Sequence, residues 1–173
     1  MHENTLLAIL AYNEQNNIEM VLNKVCKNFD NVLVVDNNSE DQTVKRIKNF
    51  PVYLIKHKYN LGKSESMKTA LEFAKIRNFK YLAFMDADGQ HEPNDVTNIC
   101  KEIYNGKNEL IIGYRKNLSN LNFKKKIGTI ILQNLFLLIY QKKLFDIQSG
   151  LRVFDLSVEK KIYWHSTGIN HYF

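Results

Sequence analysis

Short, nearly unbroken apolar runs recur along this 173-residue chain, spaced so that one helix fits between successive runs. Thr5-Leu-Leu-Ala-Ile-Leu10 is the first. Asn31-Val-Leu-Val-Val-Asp36, Pro51-Val-Tyr-Leu-Ile-Lys56, Tyr81-Leu-Ala-Phe-Met85 and Glu109-Leu-Ile-Ile-Gly113 follow. A strand with one face in water alternates apolar and polar side chains, whereas a continuous apolar run marks burial on both faces. Between the runs the period changes. Ile18, Val21, Leu22 and Val25 form a helical stripe within residues 16–27, and Met67, Ala70, Leu71 and Ala74 form another within 64–77. A short helix fits between the second and third runs, and Pro93 stands where a helix takes its first residue. This alternation predicts an α/β fold with a mostly parallel central sheet and helices on both faces.

Composition narrows the class. With 45% apolar and 24% charged residues, the chain is neither a disordered segment nor a collagen-like or disulfide-stapled one. Cys26 and Cys100 are far apart and form no CxxC pair, which suits two core thiols in a reducing compartment. The first residues lack the basic start and apolar run of a secretory leader. No repeat or Pro/Ser-rich linker divides the chain, so residues 1–173 are read as one domain. The net charge of +6 is uneven: residues 1–100 hold twelve Lys/Arg against thirteen Asp/Glu, and residues 101–173 hold twelve against five. A basic half suits a solvated face, an anionic membrane surface or a phosphorylated ligand. No nucleic-acid motif or aromatic-basic interleaving is present, so a nucleic-acid partner is not expected.

In sheets of this kind ligands bind at the carboxyl ends of the strands, and the polar signals fall there. Tyr12, Asn13 and Glu14 follow the first run, Asp36 ends the second, and Asp86-Ala-Asp88 follows the fourth. In extended chain, Asp86, Asp88 and Gln90 share a face and can converge three hard oxygens. Such a set suits Mg²⁺ or Mn²⁺, with phosphates and waters completing the shell. A turn whose acids cap the helix at Pro93 is the alternative. The position after an apolar strand, on the rim shared with Asp36, favours the metal. Asp36 can accept hydrogen bonds from a base or ribose, or open a helix-entry turn with Ser39 or Asp41 as cap. Asn60-Leu-Gly62-Lys63-Ser64 lacks the GxxxxGK[ST] spacing and reads as a turn feeding a helix, with Lys63 a candidate anion contact. No GxGxxG and no GxSxG occur, which argues against a dinucleotide-binding enzyme and a serine hydrolase. His91 suits a supporting or capping role; His57, His165 and His171 have no motif context.

Taken in order, six segments resemble glycosyltransferase family 2. They are Leu10-Ala-Tyr-Asn-Glu14, Val34-Val-Asp36-Asn-Asn-Ser39-Glu-Asp41-Gln-Thr43, Asn60-Leu-Gly62-Lys63, Asp86-Ala-Asp88-Gly-Gln90-His91, Gly113-Tyr-Arg115 and Asp146-Ile-Gln-Ser149-Gly150-Leu-Arg152-Val-Phe154. The last is most similar to the polyprenyl-phosphate sugar transferases, such as dolichyl-phosphate mannose synthase. The resemblance implies a GT-A (Rossmann-like) fold and inverting, metal-dependent transfer from a UDP- or GDP-sugar to a polyprenyl-phosphate acceptor. It implies that Leu10, Ala11, Tyr12, Glu14, Val34 and Asp36 line the nucleoside pocket. By the same resemblance Asp86, Ala87, Asp88 and Gln90 hold the metal and diphosphate. Arg115 contacts a phosphate, and Lys125 and Thr129 form a basic/hydroxyl pair. Asp146, Ser149 and Arg152 border the reacting centre. Asp88, Asp146 and Arg115 are the catalytic candidates.

Lys124-Lys125-Lys126 leads into an apolar run to Tyr140, too short to span a bilayer and interrupted by Gln133-Asn134. It reads as a core helix or as an interfacial helix near a lipid acceptor. The expected setting is therefore cytoplasmic, peripheral on the cytoplasmic membrane face, with room for a membrane-anchoring partner. Leu10 stands where the family usually has proline, and Ser64-Glu65-Ser66 replaces a glycine-rich continuation. Family members usually continue beyond the equivalent of Phe173, so a C-terminal part is expected to be lacking. The rival readings are a non-catalytic domain that binds a sugar nucleotide or a protein, and a transferase acting on a glycan hydroxyl.

Overall fold

The computed structural model describes residues 3–106, 108–113, 134, 137, 141 and 149–157. The apolar runs become β1 (Thr5–Ala11), β2 (Val32–Asp36), β3 (Tyr53–Lys56), β4 (Tyr81–Asp86) and β5 (Leu110–Ile112). The helical stripes become α1 (Ile18–Val25), α2 (Thr43–Ile47), α3 (Lys63–Ile76) and α4 (Pro93–Tyr104), and a last strand, β6, runs Arg152–Asp155. The sheet order is β3-β2-β1-β4-β6-β5. β1 pairs in parallel with β2 and β4, and β3 pairs in parallel with β2. β6 is antiparallel to both of its neighbours, β4 and β5.

Alternation along each strand divides the core into two layers. Leu7, Ile9, Val32, Val34, Ala83, Met85 and Val153 face one way, against Ile18, Val21, Leu22 and Val25 of α1 and Val96, Cys100 and Ile103 of α4. Leu6, Ala8, Leu33, Val35, Leu82, Phe84 and Phe154 face the other way, against Met67, Ala70, Leu71 and Ala74 of α3. Each fully buried Leu, Ile or Val contributes about 1.5–3 kcal/mol relative to exposure, so these two layers carry the fold. Both expected stripes are thus buried stripes, on opposite faces. Pro93 occupies the first turn of α4 as expected. Both cysteines are free, Cys100 buried and Cys26 half-buried. Burial pushes the Cys100 thiol up to about 11, against an opposing hydrogen bond from Tyr104. Among the described residues no helix is long and apolar enough to cross a membrane.

β6 has no counterpart among the apolar runs. It is four residues long and opens on a charged Arg152, so only Val153 and Phe154 report its two buried faces.

Candidate active site

Strand register brings the polar positions to one level. Leu10 lies opposite Asp86, Ala11 opposite Asp36, and Asp36 opposite Lys56, so β1 to β4 finish together. Because β6 runs the other way, the residues that lead into it, Ser149 to Leu151, arrive at that same rim. Gly113, just past β5, donates its N–H to Leu151 O at 2.9 Å. The close approach at this corner requires glycine: a Cβ on residue 150 would overlap the Asp86 carboxylate.

The loops after β1 and β2 are tied together by side chains accepting from backbone. Ser39 Oγ accepts from Asn13 N–H (2.9 Å), and Asn13 Oδ1 accepts from Glu40 N–H (3.0 Å). Thr43 Oγ1 accepts from Glu14 N–H (2.8 Å), and Asp41 Oδ2 accepts from Gln15 N–H (3.1 Å). The Ser39-Glu-Asp-Gln-Thr43 segment therefore shapes the turn that presents Tyr12, which is 46% exposed. The expected cap at Ser39 or Asp41 takes another form. The N-cap of α2 is Gln42 without a side-chain bond, while Asp41 Oδ1 accepts from both the N–H and the hydroxyl of Thr43.

Asp36 is fully buried at the end of β2. Its Oδ2 accepts from Ser39 N–H at 3.0 Å, and its Oδ1 has no hydrogen-bond partner among the described residues. A buried carboxylate oxygen without a donor is costly, and such a group in a native site points to a missing ligand or ion. Next to it, Asn37 Nδ2 donates to Asn60 Oδ1 (2.7 Å), which also receives Gly62 N–H (3.0 Å). Gly62 has φ +84°, a left-handed value that glycine adopts freely, immediately before α3.

At the end of β4, Lys63 Nζ lies 2.6 Å from Asp86 Oδ1. The chain does not stay extended here as expected: β4 ends at Asp86, and Ala87, Asp88 and Gly89 (φ 76°) turn, leaving Asp86 and Asp88 half-buried on either side of a buried Ala87 and Gln90 exposed. Asp88 Oδ1 accepts from Gln90 N–H (3.0 Å), which turns the chain toward α4. A cleft of about 570 Å³ opens beside this turn, lined by Gln90, His91 and Asp95 on one side and by Ile112, Gly113 and Ser149 on the other. Among the described residues no group of three or more His, Cys, Asp or Glu side chains gathers as a metal cage. Two neighbouring carboxylates and an amide fit the open kind of Mg²⁺ or Mn²⁺ site, which borrows oxygens from a bound phosphate.

Of the residues singled out in the sequence, Leu10, Ala11, Tyr12, Glu14, Asp36, Lys63, Asp86, Ala87, Asp88 and Gln90 are gathered at the rim. Val34 lies two residues inside β2 with its side chain in the core. Ser149 is buried; its Oγ accepts from Leu151 N–H and its carbonyl from Arg152 Nε. Arg152 is thereby turned along β6, where it pairs with Phe84 and Ile112. Arg115, Lys125, Thr129 and Asp146 lie outside the described residues, as does the apolar run that ends at Tyr140 except for Asn134 and Leu137, which are helical and exposed. Asn13, Asn37, His57 and Asn60 were not singled out as site residues. Of these only Asn13 carries a signal, a rim-turn asparagine at φ 55° in the left-handed region that asparagine tolerates better than most residues; Asn38, next to Asn37, shares it at φ 66°.

This fold has solved counterparts. Glucosyl-3-phosphoglycerate synthase from Mycobacterium tuberculosis, crystallised with Mn²⁺, UDP-glucose and phosphoglyceric acid, superposes with a TM-score of 0.74 at 16% identity. The overlap covers 89% of this chain and 57% of that one, and the fold is of the GT-A class. Sequence gives the family. Residues 7–163 match glycosyl transferase family 2, and the chain belongs to it. A UDP-N-acetylglucosamine–dolichyl-phosphate N-acetylglucosaminyltransferase from Methanococcus voltae is 33% identical over 89% of this chain and 70% of its own length. A dodecaprenyl-phosphate galacturonate synthase from Rhizobium johnstonii is 23% identical over 90% of this chain and 49% of its own length.

Proposed function

We propose that this glycosyltransferase moves a sugar from a UDP- or GDP-sugar to a polyprenyl-phosphate acceptor, with inversion and with the help of a divalent cation. The observation that carries the reading is the buried Asp36 Oδ1, without a hydrogen-bond partner among the described residues, on the rim that also holds Asp86 and Asp88. Asp36 accepts from the nucleoside, and the Tyr12 turn covers it. Asp88, with Asp86 and Gln90, would hold Mg²⁺ or Mn²⁺. When bound, that cation supplies Lewis-acid stabilisation of the charge left on the departing diphosphate. Lys63 can exchange its bond to Asp86 for a phosphate oxygen and add to that stabilisation.

The acceptor class follows from the names of the two relatives and from the charge of the chain. A lipid phosphate is already an anion near neutral pH and needs no strong base, whereas a sugar hydroxyl does. Arg115, Lys125 and Thr129 position the phosphate, and Asp146 faces the cationic character that grows at the anomeric carbon. The reaction is set at the cytoplasmic face of a membrane.

Thermal unfolding with UDP or GDP, each with and without Mn²⁺, tests the donor site. Ligand at about 100 times its dissociation constant adds ~2.7 kcal/mol of stability, and ~1 kcal/mol moves the midpoint a few degrees for a chain of this size. One nucleotide should raise the midpoint, and only with metal; Asp88→Asn should abolish that rise and leave the unliganded midpoint in place. Unchanged nucleotide affinity in the variant would refute the metal site. Transfer to a short polyprenyl phosphate, and none to a glycan without lipid, tests the acceptor.

A further inference from the structure

His57 stands just beyond β3 and is only 9% exposed. Its backbone N–H donates to Asp36 O at 2.9 Å. Its ring bridges two elements: Nδ1 lies 3.1 Å from Asn37 Oδ1, and Nε2 lies 2.9 Å from Thr69 Oγ1 on α3.

Backbone donors fix the direction of this network. Leu61 N–H and Gly62 N–H can only donate, and they give to Asn37 Oδ1 (2.9 Å) and Asn60 Oδ1 (3.0 Å). Asn37 therefore offers its oxygen to the imidazole and its NH₂ to Asn60, so Nδ1 carries the ring hydrogen. On the other side Thr69 has one hydroxyl hydrogen and two acceptors within reach, Nε2 of the ring and Glu65 O at 3.0 Å. Nε2, when it carries no hydrogen, takes that hydrogen from Thr69 as the hydroxyl turns away from its own helix.

We propose that His57 is a positioning residue for donor binding, clamping Asn37 to α3 through an Nδ1–H imidazole and so holding the turn 60–63. What it holds is the aim of two groups of the rim. One is Asp36, whose carbonyl receives the His57 N–H and whose carboxylate keeps one oxygen without a partner among the described residues. The other is Lys63, delivered to Asp86 by the turn that Asn37 and Asn60 close. A buried imidazole with both nitrogens engaged orients its partners, which a leucine of similar size does not. The inference rests on the donor site proposed above.

Nitrogen-15 NMR of the histidine rings reads the first part directly. His57 should show hydrogen on Nδ1, and hydrogen on Nε2 alone overturns the clamp. The second part is read with His57→Ala and the milder Thr69→Val, using UDP and GDP with Mn²⁺ as probes. In either folded variant the nucleotide dissociation constant should rise at least about fivefold, the factor one ordinary hydrogen bond represents. Exchange of the Leu61 and Gly62 amides should quicken alongside. Unchanged affinity and unchanged exchange in folded Thr69→Val overturn the proposal. If the unaltered protein binds neither nucleotide, the donor reading has failed instead, and the amide exchange with the ring tautomer still decides the clamp.

Discussion

Single residues at this rim act less as isolated contacts than as knots between loops, and Asp41 is the clearest to test by pH. Partial burial opposes its ionisation, but hydrogen bonds from the hydroxyl and N–H of Thr43 and from Gln15 N–H outweigh it and hold its pKa below the ordinary aspartate value. A carboxyl with a lowered folded-state pKa stabilises the fold fully above its unfolded value, about 3.9, and loses that contribution as pH falls through the lowered value. Asp41→Ala should therefore be less stable than the parent at pH 6, and the gap should narrow as pH falls below about 3.9, the unfolded value, and through the lowered folded one. Denaturant titrations of both proteins across this range check this; a gap that persists in acid would remove the ionised carboxylate from the account. The same Asp41 was legible in the sequence only as one of two cap candidates. Its actual partners, 26 residues earlier and two residues later, depend on how two loops meet, which periodicity does not encode.

Elements that bury both faces announce themselves, and those that do not stay hidden. β1, β2 and β4 were legible because every residue between their ends is apolar, and α1 and α3 because their stripes keep helical spacing on opposite faces of the sheet. β6 was not: a four-residue strand with Arg152 at its head carries too little pattern to separate from a loop, and its antiparallel sense follows from pairing alone. Yet β6 sets the corner of the site. Its approach brings Gly150 against the Asp86 carboxylate, leaving no room for a Cβ. Gly150→Ala must push back either the strand or Asp86, and overpacking of this kind costs about 1–3 kcal/mol. We expect a lower unfolding midpoint together with weaker metal-dependent nucleotide binding, because Asp86 loses its place beside Lys63. Parental nucleotide affinity in the Gly150→Ala protein would show that Asp86 can shift without consequence. Asp86 and Asp88 themselves were readable as a strand-end motif, whereas the Lys63–Asp86 pair joins the ends of two distant segments and required the fold.

At the scale of the whole molecule the decisive property is the uneven charge. The first hundred residues are nearly neutral and the remainder carries twelve basic against five acidic side chains. The chain therefore has a polarity that its sheet alone does not explain, since β1 to β4 and their helices all belong to the neutral part. A membrane that supplies a phosphate-bearing lipid is itself anionic, and each Lys or Arg held near such a surface contributes about 1 kcal/mol at physiological salt. Three of the basic residues at the surface would raise the partition constant by about two orders of magnitude. We expect the protein to co-sediment with vesicles containing phosphatidylserine and not with phosphatidylcholine alone. The attraction should fade as salt rises from about 0.1 to about 1 M, where the screening length falls from about 10 to about 3 Å. Replacing Lys124, Lys125 and Lys126 by glutamine should weaken the vesicle interaction while leaving the nucleotide-induced rise in midpoint intact, because that rise belongs to the rim at Asp36 and Asp88. Equal binding to neutral vesicles, or salt-insensitive binding, would instead assign the contact to apolar insertion and remove charge as its cause.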